Sequence, residues 1–244
     1  MSETLTLIHR DAGLVVVAKP AGPPSTGRTP ETSGSVEYAL SRQLRQKVWA
    51  VHQLDRYTSG CNLFVLKKSL VQTFSEALRC GRKCYVAICH GQTPPDFEVD
   101  VSVGRRREVD SNRTFPCLPC PEADLTSMRR ALTFFSTLGH SQDGAFSLVL
   151  ARPATGRTHQ IRLHLAFVGH PLVGEDMHRD PACALAERHQ LHAMVIDLEA
   201  IDDIAAARFS APLPTDMKAF VERHFALSSG EVLARVVQQL DGEA

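Results

Sequence analysis

The sequence has one tryptophan and three tyrosines in 244 residues, no run of 18 apolar residues, and a formal net charge of zero. The lack of a long apolar run argues against a membrane-spanning helix. The first 22 residues lack the basic start, long apolar stretch and small-residue cleavage site of a secretory signal, so a cytoplasmic location is expected. Seven cysteines, at 61, 80, 84, 89, 117, 120 and 183, make an odd count, which speaks against a disulfide framework in such a chain. Cys117-Leu-Pro-Cys120 has C-x-x-C spacing, but zinc needs a second ligand pair. Cys80 and Cys84 are the nearby candidates, and their i,i+4 spacing at a helix end fits poorly, so no metal is expected. Zero net charge also argues against a simple electrostatic nucleic-acid binder.

The distribution of charge says otherwise. Residues 40–90 hold nine Lys/Arg against two Asp/Glu, roughly +7, whereas residues 165–244 hold six against thirteen, roughly −7. An asymmetry of this size gives one face a phosphate-attracting field despite overall neutrality. Two unrelated solvated faces would give the same count. The composition, 43% hydrophobic and 22% charged, is that of a globular protein and suffices for one large domain or two small ones. Without a clear linker or repeat, residues 1–244 read as a single domain, expected to be a monomer.

Short elements follow one another along the chain. Leu14–Ala18 reads as a buried strand stopped by Pro20-Ala-Gly22, then a loop over 22–34 and a helix around Val36–Gln46. Strands are expected at Cys61–Leu66, Lys83–His90, Ala131–Leu138, Ala145–Arg152 and His192–Leu198. Helices are expected from Ser69 to Arg79, from Thr158 to Val168, from Thr215, and over 230–240, with Ser69, Thr158 and Thr215 as N-caps. The Pro-, Arg- and Cys-rich stretch 91–130 reads as an extended loop or a β-excursion. The pattern predicts an α+β fold: a mixed, mainly antiparallel β-sheet core with short flanking helices and loops.

Two segments carry the chemistry. In His52-Gln53-Leu54-Asp55-Arg56-Tyr57-Thr58-Ser59-Gly60, Asp55 sits in a turn before a strand, a placement suited to nucleophilic or general-base work. Asp before Thr-Ser-Gly is equally a common turn composition. The second segment, PATGRTHQIRLHLAFVGHPLVG at 153–174, is rich in Arg and His. A buried carboxylate needs a partner, and Arg162, which cannot lose its proton, would keep an adjacent aspartate ionised. Arg157 and Arg162 can also be read as surface cations. His159 and Gln160 can bond backbone or phosphate, His159 equally as a structural histidine. Tyr85, on a strand after the basic residues Arg79, Arg82 and Lys83, offers either a core aromatic or a face for stacking an extruded base.

Five blocks taken together resemble the RluA-type RNA pseudouridine synthases: VVVAKPAGPPS at 15–25, HQLDRYTSG at 52–60, KCYVAICHG at 83–91, TGRTHQIRLHLAFVGHPLVG at 155–174, and LHAMVIDL with APLPTD at 191–198 and 211–216. They come in the family's order over residues 14 to about 216. The resemblance places the catalytic aspartate on Asp55, the stacking tyrosine on Tyr85 and the arginine that pairs with the aspartate on Arg162. Ile161 matches an apolar residue lining the base pocket and Lys83 a frequent basic position; Gln53, Arg56, Arg157 and His159 fall among residues expected to contact substrate. Gln53 departs from the family, which usually has an arginine there. A second departure is Glu175-Asp176 after Gly174, where Asp usually follows directly.

What the resemblance implies is isomerisation of a uridine within structured RNA, ribosomal or transfer RNA being the expected partner. No group is lost and no redox change occurs, so no cofactor is expected. The extruded base would stack on Tyr85, which could also take the C5 proton, while Arg162 would hold Asp55 charged. Two alternatives belong to other classes. One is a catalytically inactive RNA-binding relative or RNA chaperone. The other is a hydrolase, which would need a second carboxylate near Asp55.

Overall fold

Leu14-Val-Val-Val-Ala is apolar at every position, and the reason is that its strand is covered on both faces. In the computed structural model, which describes residues 4–27, 34–107, 114–119, 125–178 and 185–242, Val15 and Val17 join Phe64 and Leu40 in one core cluster, and Val16 joins Leu63, Val65, Phe74 and Ile196 in another. Successive side chains of a strand point to opposite faces, so a continuous apolar run follows from two-sided burial.

The elements run in chain order as β1 (Thr6–Arg10), β2 (Leu14–Lys19), α1 (Val36–Leu44), β3 (Trp49–Ala50), β4 (Ser59–Val65), α2 (Val71–Cys80) and β5 (Arg82–His90). Next come β6 (Asp96–Asp100), β7 (Val103–Arg107), β8 (Thr114–Cys117), β9 (Leu125–Arg129), β10 (Leu132–His140) and β11 (Phe146–Pro153). The chain closes with α3 (Gln160–Phe167), β12 (Leu191–Leu198), β13 (Ala207–Ser210), α4 (Thr215–Phe225) and α5 (Ser229–Asp241). This is the expected mixed α+β fold with mostly antiparallel pairing.

Two compact units divide the chain. The first comprises Met1–Tyr85, Leu191–Glu222 and Leu227–Ala234. Its strands run β1-β2-β4-β12, with β3 beside β4 and β13 beside β12. All pairs are antiparallel except β4 with β12. Helix α1 brings Leu40 to one face and α2 brings Phe74, Ala77 and Leu78 to the other. The second unit comprises Val86–Gln190, Arg223–Ala226 and Arg235–Ala244. In it β11, β10 and β6 form an antiparallel sheet, and β8-β7-β9 form a separate three-stranded one. The stretch 91–130 is thus a β-excursion where it is described; Cys120 lies outside the described residues.

Two expected helix caps are replaced by other devices. Ser69 lies in a 3-10 turn over Lys68–Leu70, and α2 starts behind it without a side-chain cap. Thr158 does not cap α3 either: His159 takes the cap position in the left-handed region, at φ 56°. The side chain of Gln160 ties down the segment that enters the helix, its Oε1 accepting from the Arg157 amide at 3.0 Å and from the Thr155 hydroxyl at 2.7 Å. Its Nε2 donates to the Leu132 carbonyl and to Thr133 Oγ1. This buried amide thus has four partners, all of them outside the helix. Helix α1 stops at Leu44 because Arg45 turns left-handed at φ 53°.

Candidate active site

In the first unit the Asp55 turn is held from three sides. Its own bond is Thr58 N–H to the Asp55 carbonyl, 3.0 Å. The end of β2 supplies Lys19, 2% exposed, whose Nζ donates to the carbonyls of Pro20, Arg56 and Thr58 at 3.0, 3.0 and 2.8 Å. A buried ammonium is costly unless its donors are used, and Lys19 spends them on backbone on both flanks of Tyr57. Beyond it, Gly22 N–H donates to the Arg56 carbonyl and Arg56 Nε returns the bond to the Gly22 carbonyl at 2.7 Å. Ser25 Oγ accepts from the Leu54 amide at 2.9 Å. The 15–25 block therefore reads as a bracket for the 52–60 block. Lys19→Met is expected to lower thermal stability by several degrees and to loosen this turn, seen as faster amide exchange at Arg56 and Thr58. Unchanged exchange would contradict the bracket.

The exit from the turn is equally constrained. Gly60 has φ 119°, and a Cβ there would stand 2.2 Å from the Ala193 carbonyl oxygen, so the parallel approach of β4 to β12 requires glycine. His192 bonds Ser59 Oγ through Nδ1 at 2.9 Å and the Ala211 carbonyl through Nε2 at 3.1 Å. A carbonyl only accepts, so the ring proton sits on Nε2 and Nδ1 accepts from Ser59. The blocks at 191–198 and 211–216 thus join those at 15–25 and 52–60 around one turn. His52 fixes the other flank: its Nε2 accepts from the Leu63 amide and its carbonyl from Asn62 Nδ2. Burial, then the charge of Lys83, pushes its pKa down to about 4, so it is a neutral structural acceptor.

Tyr85 belongs to the same unit. Burial first, and then the charge of Asp55, push its phenol well above the ordinary tyrosine value. The carboxylate is therefore near enough to oppose ionisation of the ring. At neutral pH Tyr85 is a phenol, fit to stack and to donate a hydrogen bond; as a base for the C5 proton it is poorly suited. Asp55 and Lys83 are half-buried, and Gln53, Arg56 and Tyr57 are exposed; the Arg56 guanidinium lies over the Tyr57 ring, 5.7 Å from its centroid.

Arg162 lies in the second unit, where its guanidinium meets a buried carboxylate of that unit. Its guanidinium, 3% exposed, is bidentate to the fully buried Glu175: Nε to Oε2 at 2.9 Å and Nη2 to Oε1 at 2.5 Å. Nη2 also reaches Asp176 at 3.1 Å. Burial alone would raise the Glu175 pKa, but the bonds and charge of Arg162, with the Met177 amide, hold it down at about 2. The physical reason lies at Gly174. Its φ of 75° turns the chain where a Cβ would be 2.0 Å from the Arg188 carbonyl, and the turn delivers Glu175 to Arg162.

His159 is part of this cluster. Its Nε2 faces Arg162 Nη1 at 3.4 Å and its Nδ1 faces His178 Nε2 at 2.9 Å. Arginine only donates, so His159 is protonated at Nδ1 and donates to His178. Burial, then Arg162, lowers its pKa to about 4. Ile161 is 6% exposed on the same helix, and half-buried Arg157 donates through Nε to the Arg130 carbonyl at 3.1 Å.

The basic 40–90 segment is less free than its count implies. Arg79 is ion-paired with Glu76, and Arg82 shares Asp197 with Arg208. Lys19, Ser25, His192 and Glu175 were not singled out as site-building from sequence. Only Lys19, a cation ending an apolar strand, carried a visible signal. Cys61 and Cys89 are buried thiols whose pKa burial raises to about 12, which makes them inert. Among the described residues no cluster of metal-ligating side chains is found; Cys120, on which the C-x-x-C reading depends, lies outside them.

Comparison with known proteins agrees with this geometry. The family described as RNA pseudouridylate synthase matches residues 13–167. The dual-specificity RNA pseudouridine synthase RluA of Escherichia coli (strain K12) is 31% identical over 201 residues, covering 80% of this chain and 86% of that protein. The ribosomal large subunit pseudouridine synthase D of Nitrosomonas europaea is 30% identical over 235 residues, 89% of this chain and 64% of that one. Among solved structures, human RNA Pseudouridylate Synthase Domain Containing 1 superposes with a TM-score of 0.71 at 22% identity, covering 93% of this chain and 97% of that one. The chain belongs to the RluA-type family of RNA pseudouridine synthases, isomerases that act on RNA.

Proposed function

We propose that Asp55 carries the isomerisation, on a uridine of ribosomal or transfer RNA. The observation behind this is the bracketed turn: a half-buried carboxylate with its backbone fixed by Lys19, Gly22 and Ser25, close enough to Tyr85 to perturb its phenol. Rigid placement of a reacting group is what a site for bond exchange requires. In the reaction the N1–C1′ bond breaks and C5 bonds to C1′. The proton lost from C5 is balanced by one gained at N1. Asp55 acts on the sugar or the base, Tyr85 stacks on the extruded uracil as a neutral phenol, and Arg162 shapes its own part of the site through Glu175. The printed names of the relatives, one dual-specificity and one ribosomal, motivate the two RNA classes.

The test is tritium release from ribosomal and transfer RNA transcripts labelled at uridine C5, with the product mapped to single nucleotides. Release at a defined uridine in one of the two classes supports the reading. RNA binding without release from either class would instead favour an inactive RNA-binding relative.

A further inference from the structure

The β-excursion of the second unit builds a cleft of about 290 Å³ that the expected chemistry does not use. Arg105 from β7, Ser127 and Arg129 from β9, and Gly156, Arg157 and Thr158 from the segment before α3 line it; none of these described residues is acidic. The register explains how two of the arginines come together. Val103 pairs with Arg129 and Arg105 with Thr126, so Gly104 alone faces both Ser127 and Met128. Such a two-against-one bulge re-aims the residues beyond it. Without the extra residue Met128 would oppose Val103 and Arg129 would point to the other face. The bulge is held at Ser127 with φ 58°, a conformation that non-glycine residues rarely adopt.

The third arginine is pre-positioned. Arg157 bonds the Arg130 carbonyl through Nε, and among the described residues its two Nη groups carry no hydrogen bond. The nearby carboxylate of Asp100 is taken up by Arg130, which binds it at 2.7 and 3.1 Å. Arg105 is close enough to the THQIR segment for its charge to act on His159. Three guanidinium groups and two hydroxyls around a small concave space match a phosphodiester, which takes several N–H donors at once.

We propose that this arginine-lined cleft grips a phosphate of the RNA substrate's backbone and so fixes where the RNA lies on the second unit. The proposal rests on the reading of the chain as an enzyme acting on RNA. It also adds to the expected footprint, since the basic count at 40–90 includes ion-paired arginines.

The experiment uses the full chain and the transcripts named above. Binding is measured against salt concentration for wild type, Arg105→Glu/Arg129→Glu, Arg105→Lys/Arg129→Lys, Arg157→Gln and, as a control on α4, Lys218→Glu. Each lost phosphate contact should flatten the slope of log K against log salt by about 0.7–0.9. The Glu pair should weaken binding at least roughly tenfold at low salt with a shallower slope, while the Lys pair keeps most of both. Arg157→Gln should also weaken binding, and Lys218→Glu should not. Tritium release at limiting RNA should fall in step with affinity in the Glu pair and in Arg157→Gln. Unchanged affinity and slope in the Glu pair would overturn the proposal, as would lost turnover with unchanged affinity. If the slopes shift as expected but wild type releases no tritium, the cleft stands and the catalytic reading falls.

Discussion

Asp55→Asn is expected to reduce tritium release to below about 1% of wild type, a loss of more than roughly 2.7 kcal/mol in transition-state stabilisation. The substitution is nearly isosteric and removes only the charge and the basicity. The turn itself should survive. Its fixation runs through backbone groups: the carbonyls of Arg56 and Thr58 on Lys19, the Leu54 amide on Ser25, and the Asp55 carbonyl on Thr58 N–H. Circular dichroism and RNA affinity should therefore stay close to wild type while turnover vanishes. That separation is the discriminating result, because an Asx-turn residue with no part in the chemistry would keep turnover as Asn, which makes the same turn. Retention of more than a few per cent of turnover would remove Asp55 from the chemistry.

The parts that were legible in the sequence are those with a local cause. Leu14–Ala18 showed itself as a strand because burial on both faces demands apolar residues at every position. The β10–β11 hairpin was visible because apolar strands flank a Gly139–Gly144 turn. What stayed hidden was decided by distant partners. β1, β3 and β13 are short, and their residues are mostly half-buried or exposed, so no periodicity marks them. Thr158 does not cap α3 because the chain enters that helix through His159 in the left-handed region, one residue later than the expected cap.

The candidate site divides in the same way. Asp55 and Tyr85 were placed by motif, and the geometry puts them in one unit with an electrostatic link. Lys19 could not be recognised as a bracket, since its acceptors lie up to 39 positions away and are backbone carbonyls, which no side-chain pattern encodes. The charge count at 40–90 overstates the unpaired charge for a related reason. A sequence window cannot show that Arg82 meets Asp197 across 115 positions. Glu175 was seen only as a departure from a familiar pattern. Its role emerges from the glycine turn before it and from the guanidinium it meets.

Arg162→Met is expected to cost about 3–5 kcal/mol of stability, the usual scale for leaving one member of a buried pair unpaired. For a chain of this size that lowers the melting temperature by roughly 10 °C. The loss falls on Glu175, which has no exposure and would keep its charge without its bidentate partner. Removing that charge as well should restore part of the stability. Arg162→Met/Glu175→Gln is therefore expected to be more stable than Arg162→Met alone, with a coupling of about 1–3 kcal/mol. The pH dependence gives an independent check. Glu175 is depressed from an ordinary 4.5 to about 2 in the folded chain, so its contribution is fully present above pH 4.5 and is lost as pH falls through 2. Wild type should lose stability progressively across that window, and Glu175→Gln should lose less. Simple additivity of the two substitutions, together with identical acid profiles, would show that the pair seen here does not hold this part of the site together.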